Sequence, residues 1–245
     1  MGSQAVAPFG LVFNSDGSKM YVADLGENSV YQYSLSTSFN LSTTSYDNSS
    51  FSFSSQFGSN LTGISISPDG TKMYAATYNG NSVYQYTLST PYDVSTASYD
   101  SVSFSASSQS TSIRDVFITS DGAKMYITGG LNYSIFEYTL STPYDLSSAS
   151  YEGGFSVFSQ ETAPTGMALN PEGTQMFVIG STSDSVHQYT LSTAYDVTSA
   201  SYDSVSISVN SQESIPQALA FSTNGAKLFV IGYSTDTVYQ YSTGL

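Results

Sequence analysis

Five near-copies of a unit of about 52 residues, a composition poor in helix formers, and a Gly-anchored turn in every copy predict an all-β fold. The expected architecture is a five-bladed β-propeller with four-stranded antiparallel blades, the last one three-stranded. The ruler is a recurring string: NSVYQYSLST, NSVYQYTLST, YSIFEYTLST, DSVHQYTLST and DTVYQYSTGL. Its central Tyr falls at Tyr33, Tyr86, Tyr138, Tyr189 and Tyr241, at intervals of 53, 52, 51 and 52 residues. The copies occupy residues 8–57, 60–109, 112–160, 163–212 and 215–245 of one domain, 1–245. With 10% charged residues, 14% aromatics and no Cys or Trp, the chain has the Ser, Thr and aromatic content of strands and turns.

Each unit opens with a short apolar run such as GISIS (Gly63 to Ser67), the expected first strand. A turn follows, written NSDGSK, SPDGTK, TSDGAK, NPEGTQ or STNGAK, in which Gly17, Gly70, Gly122, Gly173 and Gly225 share the slot that needs a left-handed backbone. Pro68 and Pro171 suit the first central turn position. The second strand (KMYAAT, QMFVIG) leads through a small loop into the VYQY strand. Asn40, Asp93, Asp145 and Asp196 then stand where a side-chain oxygen can cap one helical turn. A fourth strand with Ser alternating against apolar residues is expected near Ser50 to Ser55, Ser101 to Ser107, Phe155 to Ser159 and Ser204 to Val209. A blade of this size cannot cover both of its faces, so the Tyr, Phe, Val and Met positions of the second and third strands are expected to fill the space between blades.

The fifth unit stops after VYQYSTGL. Before the first strand stands only MGSQAV, whose Ser3-Gln4 matches the tail of a fourth strand. The last blade is therefore expected to expose the edge of its third strand, Thr237 to Ser242, as a place for strand-edge contact with a partner.

A formal charge of −14 with five basic residues disfavours nucleic acid and anionic membranes as partners. No segment approaches the roughly 20 apolar residues of a membrane span, and the N-terminus has neither the basic start nor the apolar run of a signal peptide. Lys19, Lys72, Lys124 and Lys227 follow the turn Gly and should ring one rim, where the turn carboxylates Asp16, Asp69 and Asp121 can balance them. The opposite rim carries loops in which the copies disagree: DLGENS, TYNGNS, GGLNYS, GSTSDS and GYSTDT. The first strand begins there at Phe9, Thr62, Arg114, Thr165 and Gln217, and Arg114, the sole Arg, precedes Asp115 where other copies have Gly or Ala. Residues released from repeat packing are the candidates for ligand binding: Arg114, Asp115, Tyr78, Tyr133, Tyr233, Asp24, Glu27, Asp184 and Asp236.

No catalytic residue is assigned. The lone His187 takes the place held by Tyr31, Tyr84, Phe136 and Tyr239 and reads as a packing aromatic. With no further His and no Cys, a zinc cage is not expected. No cofactor is expected beyond Ca²⁺ on carboxylate oxygens, for which no calcium-loop spacing is present.

The run SPDGTKMYAATYNGNSVYQYTLST (Ser67 to Thr90) resembles the repeat of the propeller superfamily that includes lactonase-like and YVTN-type surface-protein propellers. The fuller unit, with STPYDVSTASYDSVSFS, is similar to repeats of uncharacterised propeller proteins from marine phages and bacteria. Propellers host enzymes, lectins and scaffolds alike. The expected function is a non-enzymatic binding or scaffold module of a virion or cell surface, extracellular, holding a glycan or a surface protein on the variable rim. Its alternatives are a metal-assisted lactonase-like hydrolase and a purely structural or engineered repeat protein.

Overall fold

The five turn glycines take φ of +67 to +72°, as their slot requires. At four of them the conformation is only half of the reason for Gly. A Cβ on Gly70, Gly122 or Gly173 would stand 2.5 Å from the ring of Tyr92, Tyr144 or Tyr195, and one on Gly17 would strike Phe39. These rings lie on the turn in left-handed conformations of their own, with φ of 53 to 64°. The tyrosine hydroxyls donate to Pro68 O, Ser120 O and Pro171 O of the same turns. The following residue caps a 3₁₀ turn as expected: Asn40, Asp93, Asp145 and Asp196 accept the backbone N–H two residues on, at 2.9 to 3.2 Å.

The computed structural model describes residues 4–57 and 60–243. Among them the chain forms nineteen strands in five antiparallel sheets. Blade 1 holds β1 (Pro8–Phe13), β2 (Lys19–Asp24), β3 (Ser29–Leu35) and β4 (Thr44–Ser52). Blade 2 holds β5 (Leu61–Ile66), β6 (Lys72–Thr77), β7 (Ser82–Leu88) and β8 (Ala97–Ser105). Blade 3 holds β9 (Ile113–Ile118), β10 (Lys124–Gly129), β11 (Ser134–Leu140) and β12 (Ala149–Ser156). Blade 4 holds β13 (Pro164–Leu169), β14 (Gln175–Gly180), β15 (Ser185–Leu191) and β16 (Ala200–Ser208). Blade 5 has three strands, β17 (Pro216–Phe221), β18 (Lys227–Gly232) and β19 (Val238–Ser242). The chain is thus a five-bladed β-propeller, its last blade three-stranded.

The fourth strands begin earlier than the Ser alternation suggests, directly after the 3₁₀ turn. The cause is a bulge: Asn48, Ser101 and Ser204 adopt φ of 55 to 60°, and the residues around them fall out of register with the third strand. Two residues at each bulge, such as Asp47 and Asn48, have no partner on the third strand and interrupt the two-residue period, so the alternation is regular only beyond them.

Five apolar cores, one at each blade junction, close the ring. Tyr21 and Ala23 of blade 1 meet Ile64, Met73 and Tyr86 of blade 2, and Tyr74 and Val83 meet Val116, Met125 and Tyr138 of blade 3. Tyr126 and Ile135 meet Met167, Met176 and Tyr189 of blade 4, and Phe177 and Ile179 meet Leu219, Leu228 and Val230 of blade 5. The ring shuts where Phe229 and Ile231 meet Leu11, Met20 and Val22 of blade 1. Polar staples repeat with the cores. The Tyr21, Tyr74 and Tyr126 hydroxyls donate to Tyr92 O, Tyr144 O and Tyr195 O of the next blade at 2.7 to 2.9 Å. Gln32, Gln85 and Glu137 accept the first N–H of the next blade's 3₁₀ turn, from Val94, Leu146 and Val197, at 2.8 to 3.0 Å. Those contacts hold adjacent blades at a fixed angle and leave the first strands β1, β5, β9, β13 and β17 around the axis.

Candidate functional site

Every first strand carries a bulge at its second residue: Phe9, Thr62, Arg114, Thr165 and Gln217 drop out of the pairing with the second strand. Bulges re-aim side chains. Thr62 and Thr165 use this to donate to the carbonyls of Ile113 and Pro216 at the start of the next first strand, at 3.4 and 3.0 Å. One residue further, the strands crowd the axis and the ring reads Gly10, Gly63, Asp115, Gly166, Ala218. A Cβ on Gly63 would come within 2.5 Å of Asp115 Oδ1, and one on Gly166 within 3.4 Å of Asp115 Oδ2. The single carboxylate thus fills room left by its glycine neighbours in blades 2 and 4.

Asp115 is 9% exposed and lies among the lining residues of an axial cavity of about 410 Å³. The cavity runs from the Asp115 level to the first turns of all five blades, at Ser15, Pro68, Ser120, Pro171 and Thr223. Its walls include Leu11, Phe13, Ile64, Val116, Phe177 and Phe221. Asp115 accepts one hydrogen bond at each oxygen, from Val116 N–H at 2.8 Å and Met167 N–H at 3.3 Å. Burial among apolar side chains pushes its carboxyl up to about 7, against the lowering effect of those two N–H groups. Among the described residues it is the only carboxylate lining the cavity.

The other candidates lie on the opposite, loop rim. Arg114 stacks its guanidinium 4.5 Å above the Tyr78 ring, and burial lowers its pKa. Tyr133, with φ 52°, leans on Phe158 at 5.2 Å, while exposed Tyr233 meets Phe9 edge-on at 6.2 Å. Asp24 is buried and ties its loop by accepting N–H from Ala7 and Glu27 at 2.7 and 2.6 Å; the Glu27 side chain is exposed. Asp184 and Asp236 fill the left-handed slot before the third strand, at φ 48 and 51°, with Oδ1 of each buried and unpartnered. Arg114 and Tyr78 are therefore brought together, and Asp115 stands apart from the rest in the axial cavity.

Three buried carboxylates escaped the sequence reading: Glu137, at the junction of blades 3 and 4, and two on the loop rim, Glu161 and Glu213. Glu161 accepts N–H from Ala163, Thr182 and Ser183 and the Ser183 hydroxyl. Glu213 does the same for Ile215, Ser234 and Thr235 one blade later. The available signal was compensation within the repeat. Where the second strand ends in Gly180 or Gly232, the Glu carboxyl occupies the space a Cβ would need. Where it ends in Asp24, the equivalent of the Glu is Ala5. The loop tie is thus made from either side.

Ser183 Oγ also lies 3.0 Å from His187 Nε2. Its one proton goes to Glu161 at 2.6 Å, so His187 Nε2 is left as the donor and cannot act as a base toward this hydroxyl. His187 packs on Tyr202 at 5.9 Å, as Tyr84 packs on Tyr99 at 5.9 Å. Among the described residues no three His, Asp or Glu side chains gather into a group that could hold a metal ion.

No family model matches the chain, and no curated protein matches it. Solved structures do. A candidate 6-phosphogluconolactonase from Bacteroides uniformis superposes with a TM-score of 0.59 at 11% identity, over 95% of this chain and 65% of that one. The periplasmic gluconolactonase of Pseudomonas aeruginosa gives 0.58 at 15% identity, over 96% and 66%. A protein from Lactobacillus plantarum gives 0.61 at 15% identity, over 96% and 67%. This chain resembles the lactonase-like propellers in fold. It spans about two thirds of their length. The expectation of a non-enzymatic binding or scaffold module is corrected by these neighbours, which include named lactonases. The physical reason it misled is Asp115: read as one of several rim residues, it is instead a buried carboxyl lining an axial cavity of about 410 Å³.

Proposed function

We propose that the chain is a hydrolase of small lactones or esters, with Asp115 as the acid–base group in the axial cavity. One observation carries the reading: a carboxyl raised to about 7 beside an apolar cavity of about 410 Å³ that opens at one rim. A base poised near neutrality is the most effective proton acceptor at neutral pH. Lactonases among the structural neighbours support the reaction class.

In the ionised form, Asp115 takes a proton from a water molecule as its oxygen bonds to the acyl carbon. The acyl C–O bond then breaks, and the departing oxygen takes that proton back from the Asp115 carboxyl. One water is consumed, the hydroxy acid forms, and Asp115 ends as it began. The apolar walls exclude bulk water and keep the carboxyl pKa high. A metal-assisted form would need several oxygen ligands from side chains, and the cavity offers one carboxylate; no step is therefore routed through a metal.

The test is release of acid from glucono-1,5-lactone and from an alkyl δ-lactone, followed against the spontaneous rate at pH 6.5 to 8. Asp115→Asn should lower the protein-dependent rate by about 100-fold or more. A rate no faster than the blank for either lactone, or full activity in Asp115→Asn, would defeat the proposal.

A further inference from the structure

The outer edge of blade 5 carries a second, independent feature, which does not rest on the hydrolytic reading. We infer that the β19 edge is a binding groove for an extended segment of another polypeptide chain, one that alternates Ser with apolar residues, carries an aromatic, and bears an Asp at its bulge.

The ring itself supplies the template. In blades 1 to 4 a fourth strand covers the third, whereas among the described residues β19 has no neighbour beyond β18. The missing strand leaves two kinds of unmet partner. The first is charge. Lys19 pairs with Asp47 at 3.1 Å and Lys72 with Asp100 at 2.7 Å, both acids standing at the fourth-strand bulge. Gln32, Gln85 and Gln188 each donate to the bulge acid, Asp47, Asp100 or Asp203, at 2.9 Å. In blade 5 the equivalent Lys227 donates to a backbone carbonyl, Phe39 O, at 2.6 Å and, among the described residues, pairs with no carboxylate, while Gln240 is exposed. The cation is in place and its acid is not.

The second is shape. Phe51, Phe104 and Phe155 of the fourth strands pack on Tyr86, Tyr138 and Tyr189 of the next blade, with ring centroids 4.9 to 5.6 Å apart. At the junction of blades 5 and 1 no fourth strand delivers such a ring toward Tyr33. Instead a cavity of about 320 Å³ lies there, lined by Met20, Tyr33, Leu41, Tyr46, Thr237 and Val238 among others. Strand addition would supply main-chain hydrogen bonds to β19 and place alternate side chains in that cavity. Residues 97–109 show the required pattern, with Asp100 at the bulge, Phe104 opposite Val83 and Val102 opposite Gln85; the same register sets Phe opposite Val238 and Val opposite Gln240.

A fluorescein-labelled peptide of residues 97–109 is titrated into the intact chain and followed by anisotropy, with amide hydrogen exchange to locate it. Saturable binding that slows exchange at Val238–Ser242 is expected. Phe104→Ser in the peptide should weaken it about thirtyfold, and Asp100→Asn about threefold. The Asp100→Asn penalty should vanish against Lys227→Gln, a substitution the ring already accepts as Gln175 in blade 4. Equal binding of a scrambled peptide, saturation without protection of β19, or no binding at 1 mM peptide would each overturn the inference. So would a concentration-dependent dimer that protects β19 and that the peptide does not dissociate, since a second copy would then be the occupant.

Discussion

Replacing Asp115 with Asn should make the protein more stable at pH 8 while lowering the proposed hydrolysis about 100-fold or more, and the size of the stability gain follows from the geometry. The carboxyl moves from an ordinary value of 3.8 to about 7 in the folded chain, driven by burial. The sign follows from proton binding. Between those values the folded state holds a proton that the unfolded state has released, so stability falls as pH rises, and it levels off above about 7. At about 1.4 kcal/mol for each pKa unit, the full penalty is about 4 kcal/mol. An Asn side chain carries no such penalty, although its NH₂ would face the Met167 N–H that now donates to Oδ2. That pH-independent loss of about 1 kcal/mol cancels when each protein is compared with itself at two pH values. The assay is urea unfolding of both proteins at pH 4 and pH 8. The difference in stability, variant minus parent, should grow by about 4 kcal/mol from the lower pH to the higher. Over the same range, hydrolysis by the parent should rise through about pH 7 as the base ionises. If parent and variant lose stability in parallel, Asp115 is charged in the folded chain throughout, and the argument for its role as a base near neutrality collapses.

Other perturbations probe the frame that holds the site. Gly122→Ala must place a Cβ 2.5 Å from the Tyr144 ring at φ +71°, and should cost about 2 kcal/mol or more by urea unfolding. Tyr74→Phe deletes the 2.7 Å donation to Tyr144 O across a blade junction and should cost about 1 kcal/mol, with little change in activity. Burial pushes the Glu213 carboxyl up, but donors from Ser234, Ile215 and Thr235 outweigh it and hold the pKa below the ordinary carboxylate range. Its stabilisation is present above the unfolded pKa and is lost as pH falls through the folded one. Protection of the 233–236 amides, corrected for the intrinsic pH dependence of exchange, should therefore fall in acid in the parent and stay nearly constant in Glu213→Gln.

The repeat made most of the fold legible because each blade writes the same local chemistry. Turn Gly, caps at Asn40, Asp93, Asp145 and Asp196, and the three-stranded last blade follow from residues that neighbour one another in sequence. The fourth-strand starts were hidden by the bulges at Asn48, Ser101 and Ser204, which interrupt the alternation that marks a strand. The turn lysines are expected to pair with Asp16, Asp69 and Asp121. Those acids instead hold backbone N–H groups of Ser18, Thr71 and Ala123, Lys19 and Lys72 reach Asp47 and Asp100, 28 residues on, and Lys124 pairs with Glu137. Such pairings depend on strand register, which sequence spacing alone does not give. The axial cavity was invisible for the same kind of reason. Five strand edges enclose it, and no local pattern says which rim it opens on.

Asp115 was conspicuous in the sequence, and its place on the axis explains why it had to break the repeat. Around a five-bladed ring the first strands approach so closely at this level that a Cβ on Gly10 would stand 3.3 Å from the Cα of Gly63. Room exists for one longer side chain, and Gly63 and Gly166 provide it on either side of Asp115. Were a second copy also Asp, two carboxylates would share a space already filled by one, and the charge of the first would oppose ionisation of the second. The lone acid among glycines and an alanine is thus what the geometry demands of any carboxylate placed on this axis. A repeat protein that places one chemical group on its axis must let a single copy depart from the others there, whatever symmetry the blades keep elsewhere.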